Sequence, residues 1–217
     1  MSKKSRRLPQ GRHPRRALRK RRARYLVVSN GAVTEKQYFE ALNQMYPDVV
    51  ISYAQKTVSP SQLANWARKL KEVDENDSPD DHYCKVWVVA DVDQYGSDIP
   101  RADMICQDNG IEFIISNPCF EVWLLDHERQ CPPSVTDTKI AEQAAGAAGV
   151  TTGNRGKFIV TDILTLPSVH TAVLNADRHN TEGQRKKRRS LGSTRNLAFA
   201  PWTDMPDIIQ ELDKSMK

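Results

Sequence analysis

The chain has 217 residues, of which 39% are hydrophobic, and a formal net charge of +5. This length fits one domain with tails and allows a real hydrophobic core. No apolar run approaches the roughly 20 residues of a membrane-spanning helix, and no apolar stretch follows the charged N-terminus as in a signal peptide, so we expect a cytoplasmic protein with no membrane contact.

A basic arm opens the chain. Residues 1–24 hold 12 of the 32 Lys and Arg and no acidic residue, which leaves 20 basic against 27 acidic residues in the rest. We expect this arm to be disordered when free, because its charges repel and it has little apolar surface to bury. It either binds the phosphate backbone of DNA or RNA, or is a solvated tail, or docks a partner protein.

Four short apolar runs after the arm predict buried strands. They lie at residues 25–29, 49–53, 86–90 and 111–116. Helical patterns begin near Thr34 and Ser59, and run from about Ile99 to Asn109 and from Cys119 to His127. Thr34 is a candidate N-cap, and residues 74–82 have the composition of a loop. Alternating strands and helices predict an α/β fold with a mostly parallel sheet and helices on both faces.

The rest of the chain, 132–217, is predicted to be a mainly helical extension of an α/β core at 25–131. Its helical patterns lie at 137–149, 158–176 and 206–212. A second basic run, which follows a turn-like segment, is either another contact for nucleic acid or a solvated loop. The candidate nucleic-acid-binding residues of both basic segments are Arg6, Arg7, Arg15, Arg16, Arg19, Lys20, Arg21, Arg22, Arg185, Lys186, Lys187, Arg188 and Arg189.

The cysteines give no sign of a metal knuckle. The four of them lack CxxC spacing, which disfavours a structural zinc site. Cys84, Cys106 and Cys119 lie in or beside apolar stretches, so we expect buried thiols in a reducing compartment.

Polar residues follow three of the predicted strands, at the edge where parallel sheets bind ligands. They include Asn30 after the first strand, and Asp91 and Asp93 after the most hydrophobic one. Two carboxylates two residues apart can direct oxygens at one hard cation such as Mg²⁺ or Mn²⁺, which activates phosphoryl groups. The alternative is a pair of turn-forming Asp residues that cap the next helix.

Three other side chains are candidates for supporting roles. Glu35 is either a helix-start carboxylate or a catalytic group. Glu121 and His127 lie six residues apart on one predicted helix, so they do not share a face closely, and each either supports the site or holds the fold. The sequence has no P-loop, dinucleotide-binding glycine motif or nucleophile elbow, which disfavours those enzyme classes.

Three segments resemble the RloB-like family and together span about residues 25–128. The first is 26–39, the second is 86–93 with its Asp-Val-Asp ending, and the third is 115–127. The third is the most specific, because it is similar to the family's S-N-P-x-F-E-x-W-L-x-x-H pattern.

The resemblance implies a TOPRIM-like (Rossmann-like) core and Mg²⁺-dependent (or Mn²⁺-dependent) cleavage of DNA or RNA phosphodiesters. Asp91 and Asp93 would hold the metal, with Glu35 and Asn30 lining the same site. The family's association with bacterial defence also implies an anti-phage effector, often beside an ATPase partner protein.

The first motif departs from the family's pattern, Cys-Glu-Gly-Glu-x-Thr-Glu. Asn30 stands in place of the expected catalytic Glu, and Ala32 replaces the second acid. Asn can offer a carbonyl oxygen to a metal but cannot act as a general base. The chain is therefore either a nuclease that relies on Glu35 and the Asp-Val-Asp motif, or a catalytically degraded subunit that binds or senses nucleic acid.

Overall fold

The computed structural model describes residues 21–153, 156–180 and 200–216. The elements of the first half are β1 (Ala23–Ser29), α1 (Thr34–Met45), β2 (Val49–Gln55), α2 (Pro60–Asp77), β3 (Lys85–Asp91), α3 (Ile99–Asp108), β4 (Glu112–Asn117) and α4 (Glu121–Asp126). Those of the second half are α5 (Thr138–Ala147), β5 (Thr151–Thr152), β6 (Phe158–Ile159), α6 (Leu166–His179), β7 (Trp202–Thr203) and α7 (Met205–Ser215).

Local sequence signals fix the starts of several helices. Helix α2 begins with a capping box, in which Ser59 and Gln62 satisfy each other's backbone N–H groups, and with Pro60 in its first turn. Asp137 caps α5 by accepting a hydrogen bond from the Ile140 N–H at 2.9 Å. These caps satisfy backbone donors that a helix leaves without an internal partner.

The main sheet has the strand order β2-β1-β3-β4-β7. Its first four strands are parallel, and β7 pairs antiparallel with the end of β4. This arrangement confirms the predicted α/β class. The chain winds from β1 to β2 on one side and returns to place β3 on the other side of β1, so a topological switch point lies between the carboxyl ends of β1 and β3.

Side chains of the central strands alternate between two hydrophobic cores. In β1, Tyr25 and Val27 face the core that also contains residues of α1 and α4–α7, whereas Leu26 and Val28 face the core formed with α2 and α3. Fully burying a side chain of this kind stabilises the fold by about 1.5–3 kcal/mol. Burial on both faces explains why these strands are continuous apolar runs rather than alternating ones.

The C-terminal part packs onto the same core as the first half. The larger core runs from Tyr25 to Leu212, and β7 extends the main sheet. The helical prediction for 158–176 was wrong at its start, because Phe158–Ile159 is a strand that pairs with β5. A two-residue strand is defined by its distant partner and has no periodicity of its own to detect.

Two further local expectations were wrong. Helix α2 continues to Asp77, so the loop begins later than the expected position 74. Cys84 is exposed, because it lies just before β3 begins, whereas Cys106 and Cys119 are buried as expected. Within the described ranges, no helix is long and apolar enough to cross a bilayer.

Candidate functional site

A cavity of about 310 Å³ lies at the carboxyl edge of the sheet, beside the switch point. Its walls come from the loop after β1, the ends of β3 and β4, helix α5 and the segment before β6. The lining residues are Ala32, Val33, Thr34, Glu35, Asp91, Asp93, Cys119, Phe120, Glu121, Thr138, Glu142 and Lys157. Because five of them are carboxylates, we call this space the carboxylate cavity.

The Asp-Val-Asp motif is held in place by the end of the neighbouring strand β4. Asp91 is the last residue of β3, and the Val92 N–H donates to the Ser116 carbonyl at 3.0 Å. The Asp93 N–H donates to the Pro118 carbonyl at 3.0 Å. These two bonds fasten the motif to the Ser-Asn-Pro segment, so two of the sequence motifs form one structural unit.

Glu35 reaches the cavity by lying against Gly31. A Cβ atom added to Gly31 would stand 1.8–1.9 Å from the carboxyl atoms of Glu35, so the approach requires glycine. The turn itself is fixed, because the Tyr53 hydroxyl donates to the Gly31 carbonyl at 2.5 Å and the Gly31 N–H donates to the Ser29 hydroxyl at 3.0 Å. The turn at Gly31 therefore lets Glu35, in the first turn of α1, supply a carboxylate to the cavity.

We expect Gly31→Ala to displace the Glu35 carboxyl group while the fold survives. The added methyl meets the far end of a flexible side chain, and the side chain can move away. Any activity that depends on the Glu35 carboxyl group should fall by about tenfold or more, because a displacement of about 1 Å is costly where a reaction requires fixed geometry. Comparison of thermal stability and turnover between Gly31→Ala and the control Gly146→Ala, where nothing lies within 4 Å, measures this effect. Equal losses in both variants would contradict it.

The carboxylates of the cavity raise one another's proton affinity. Burial and the nearby charge of Glu121 raise the pKa of Glu35 to about 7. Burial, followed by repulsion from Glu35, Glu121 and Asp93, raises the pKa of Asp91 well above its usual range. Burial also raises the pKa of Glu121, helped by Glu142 and Asp93. None of these five carboxylates forms an ion pair with another described residue.

The donor chemistry of the cavity fits a hard divalent cation. Carboxylate oxygens are the ligands that Mg²⁺ and Mn²⁺ prefer, and clustered negative charge that forms no ion pair is relieved by a cation. In the described part of the chain, no group of three or more His, Cys, Asp or Glu side chains is arranged so that it could hold a metal ion. Metal binding would therefore require the carboxylates to move closer together than they stand here.

Two predicted site residues lie away from the cavity lining. Asn30 is in the turn after β1, where its carbonyl accepts from the Gln55 amide at 3.5 Å. His127 is buried beyond the far end of α4, 3.1 Å from the Tyr38 hydroxyl and 2.9 Å from the Ser168 hydroxyl. The structure thus places His127 as a link among α1, α4 and α6.

The burial of the neutral His127 side chain should cost stability in mild acid. Burial lowers its pKa to about 4, so it is neutral in the folded protein, while the unfolded chain takes up a proton below about pH 6.5. The contribution of His127 to stability should therefore fall as the pH drops from 6.5 towards 4, by about 2 kcal/mol between pH 7 and pH 5. Urea unfolding at both pH values should show the wild type losing about 2 kcal/mol relative to His127→Gln between pH 7 and pH 5. Titration of Glu35 is common to both proteins and cancels in the comparison.

Sequence reasoning missed three residues of the cavity. Thr138 and Glu142 lie one turn apart on α5, and Lys157 precedes β6. Their one signal is a pair of polar residues four apart on an otherwise Ala-rich helix. Thr34 was expected to cap α1, but Val33 holds that position and the Thr34 hydroxyl instead donates to the Lys157 carbonyl at 3.1 Å.

The structure describes little of the basic segments. Arg21 and Arg22 are exposed, and Arg21 donates to the Asp80 carbonyl at 2.9 Å. The other candidate nucleic-acid-binding residues lie outside the described residues: Arg6, Arg7, Arg15, Arg16, Arg19, Lys20, Arg185, Lys186, Lys187, Arg188 and Arg189.

Comparison with known proteins gives one match. The sequence model described as RloB-like protein matches residues 25–212, a range that includes every residue of the carboxylate cavity. A search of curated proteins and a search of solved structures each found no match. Because the family match covers far more than half of the sequence, the chain belongs to the RloB-like family.

Proposed function

We propose that this RloB-like protein is a metal-dependent nuclease that hydrolyses DNA or RNA phosphodiesters at the carboxylate cavity. The observation that carries the proposal is the convergence of Glu35, Asp91, Asp93 and Glu121 from three strand ends. A fold has no structural need to gather four carboxylates that repel one another. Such clusters are typical of sites that hold a cation for catalysis.

Asp91 and Asp93 would hold Mg²⁺ or Mn²⁺, with Glu35 or Glu121 completing the set. When bound, a divalent ion supplies Lewis-acid stabilisation of the charge that develops on the phosphoryl group. Glu35 lines the same cavity and would accept a proton from the attacking water. Gly31 keeps this carboxyl group in the cavity, and the bonds from Val92 and Asp93 to the β4 loop keep the motif rigid.

The biological role that we propose is anti-phage defence, with an ATPase as partner protein, and it rests on the family resemblance. The nucleic-acid partner is supported by the 12 basic residues of the N-terminal arm and by the basic run at 185–189. Both would bind the backbone by charge, without reading sequence.

A second candidate is a degraded subunit that binds or senses nucleic acid without cleaving it. The observation that favours it is the lining of the cavity at Ala32, where a methyl group replaces the acid of the family pattern, while Asn30 carries no carboxylate. The retained Asp-Val-Asp motif favours the nuclease, because a binding protein has no chemical need for it.

Cleavage assays separate the two candidates. Plasmid DNA, single-stranded RNA and tRNA are incubated with the wild type in Mg²⁺, in Mn²⁺ and in EDTA, with and without an ATPase partner. The nuclease predicts cleavage that requires the metal and that the control variant Asp48→Asn, changed at an exposed turn, retains. Salt-sensitive binding without cleavage of any substrate would favour the degraded subunit.

A further inference from the structure

We infer that Lys157 contacts the substrate phosphate at the carboxylate cavity, and that the hairpin of β5 and β6 is the element that delivers it. The inference rests on the proposed function and deepens it, since it identifies a basic residue that would bind the anionic backbone at an acidic site. Lys157 belongs to none of the sequence motifs that carry the family resemblance.

The cavity is strongly acidic, so a phosphate ligand needs a basic group beside it. Five of its lining residues are carboxylates and one, Lys157, is basic. A phosphodiester carries negative charge, so the carboxylates oppose its entry wherever a metal does not offset them. A lysine ammonium is a compact charge on a flexible stem and a common ligand of phosphate oxygens.

The hairpin is anchored so that Lys157 faces the cavity. The Thr34 hydroxyl donates to the Lys157 carbonyl at 3.1 Å. The Gln37 side chain donates to the Ile159 carbonyl at 3.1 Å and accepts from the Ile159 N–H at 3.0 Å. Lys157, the residue before β6, lines the cavity, whereas Phe158, the first residue of the strand, is 52% exposed.

The ammonium of Lys157 is available to a ligand. Lys157 is exposed, and its ammonium group forms no ion pair with another described residue. Elsewhere on the described surface, lysines such as Lys36, Lys71 and Lys85 pair with nearby carboxylates. An anchored backbone with a free charged tip at an acidic cavity is the arrangement that a phosphate contact requires.

Binding of labelled 20-nucleotide single strands of DNA and of RNA in Ca²⁺ tests the inference, measured over a range of salt concentrations. Lys157→Met should weaken binding about tenfold and reduce the slope of log affinity against log salt by about 0.7, the loss of one phosphate contact. Lys157→Arg should retain most of the affinity and the slope. Lys139→Met removes the same charge from an exposed position of α5 outside the cavity lining and should leave both unchanged.

Three further readouts separate the contact from a structural role and from the proposed function. Gln37→Met, which releases the hairpin without touching the cavity, should weaken binding in the same direction but less. Wild-type affinity and salt slope in Lys157→Met, while the wild type cleaves in Mg²⁺, would overturn the phosphate contact and leave the nuclease intact. A wild type that neither binds Mn²⁺ nor cleaves any substrate would overturn the proposed function, and the role of Lys157 with it.

Discussion

Asp91→Asn should abolish the proposed metal-dependent cleavage and, at the same time, stabilise the metal-free protein. The pKa of Asp91 is raised well above its usual range by burial and by Glu35, Glu121 and Asp93, so its ionised form is disfavoured in the fold. The amide has nearly the same shape and removes this repulsion. A loss of function joined to a gain of stability is typical of functional residues that are costly to the fold.

Two measurements on Asp91→Asn check this expectation. Turnover in saturating Mg²⁺ should fall at least 100-fold, which corresponds to about 2.7 kcal/mol of activation free energy. The melting temperature in EDTA should rise above that of the wild type, and added Mn²⁺ should no longer increase it. The matched variant Asp48→Asn, at an exposed turn, should change neither quantity. A lower melting temperature in EDTA would contradict the electrostatic argument.

The second large effect is expected at the buried hydrogen bond between His179 and Asp126, at the C-terminal end of α4. The His179 Nε2 atom lies 2.8 Å from the Asp126 carboxylate, and both side chains are almost fully buried. Asp126 also accepts from the Cys131 N–H at 2.9 Å, and its carbonyl accepts from the Asn175 amide at 2.8 Å. The pair therefore fastens the end of α4, the helix that begins with Glu121, to α6.

His179→Ala should destabilise the protein by about 3–5 kcal/mol, because it leaves the Asp126 carboxylate buried without its partner. The control is His170→Ala, since His170 lies 3.2 Å from Asp213 in an exposed pair of the same type. Exposed pairs contribute about 0–1 kcal/mol, so the control should unfold nearly as the wild type does. Urea denaturation of the three proteins measures the difference, and equal costs in the two variants would contradict it.

The sequence was sufficient for the first half of the fold. The four parallel strands are apolar runs buried on both faces, and prolines in the first turns of α2 and α3 mark where those helices begin. Strands β5, β6 and β7 were missed because each has two residues and is defined by its partner in space. Their positions depend on how the chain beyond 131 packs, which no local pattern reports.

The part of the site that follows the parallel strands was also predictable from the sequence. Glu35, Asp91, Asp93 and Glu121 follow strands whose carboxyl ends meet at one edge, so their approach follows from the topology. Glu142 and Lys157 were not predictable, because α5 and the hairpin reach the cavity through packing and the bonds of Thr34 and Gln37.

Asn30 and Ala32 show why motif alignment alone was not enough. The family pattern drew attention to Asn30, yet Ala32 lines the cavity and Asn30 does not. The carboxylate that the first loop does supply, Glu35, depends on Gly31 having no side chain. The conformation of the turn decides which residue of the motif faces the cavity. The spacing of the residues in the sequence does not show this.

A metal site at the carboxylate cavity can be tested by calorimetric titration of Mn²⁺ into the wild type and into Asp91→Asn, at pH 7.5 and without nucleic acid. We expect saturable binding of one or two ions by the wild type and a loss of at least one of them in the variant. Absence of Mn²⁺ binding by the wild type, or the same binding isotherm for both proteins, would contradict a metal site at the carboxylate cavity.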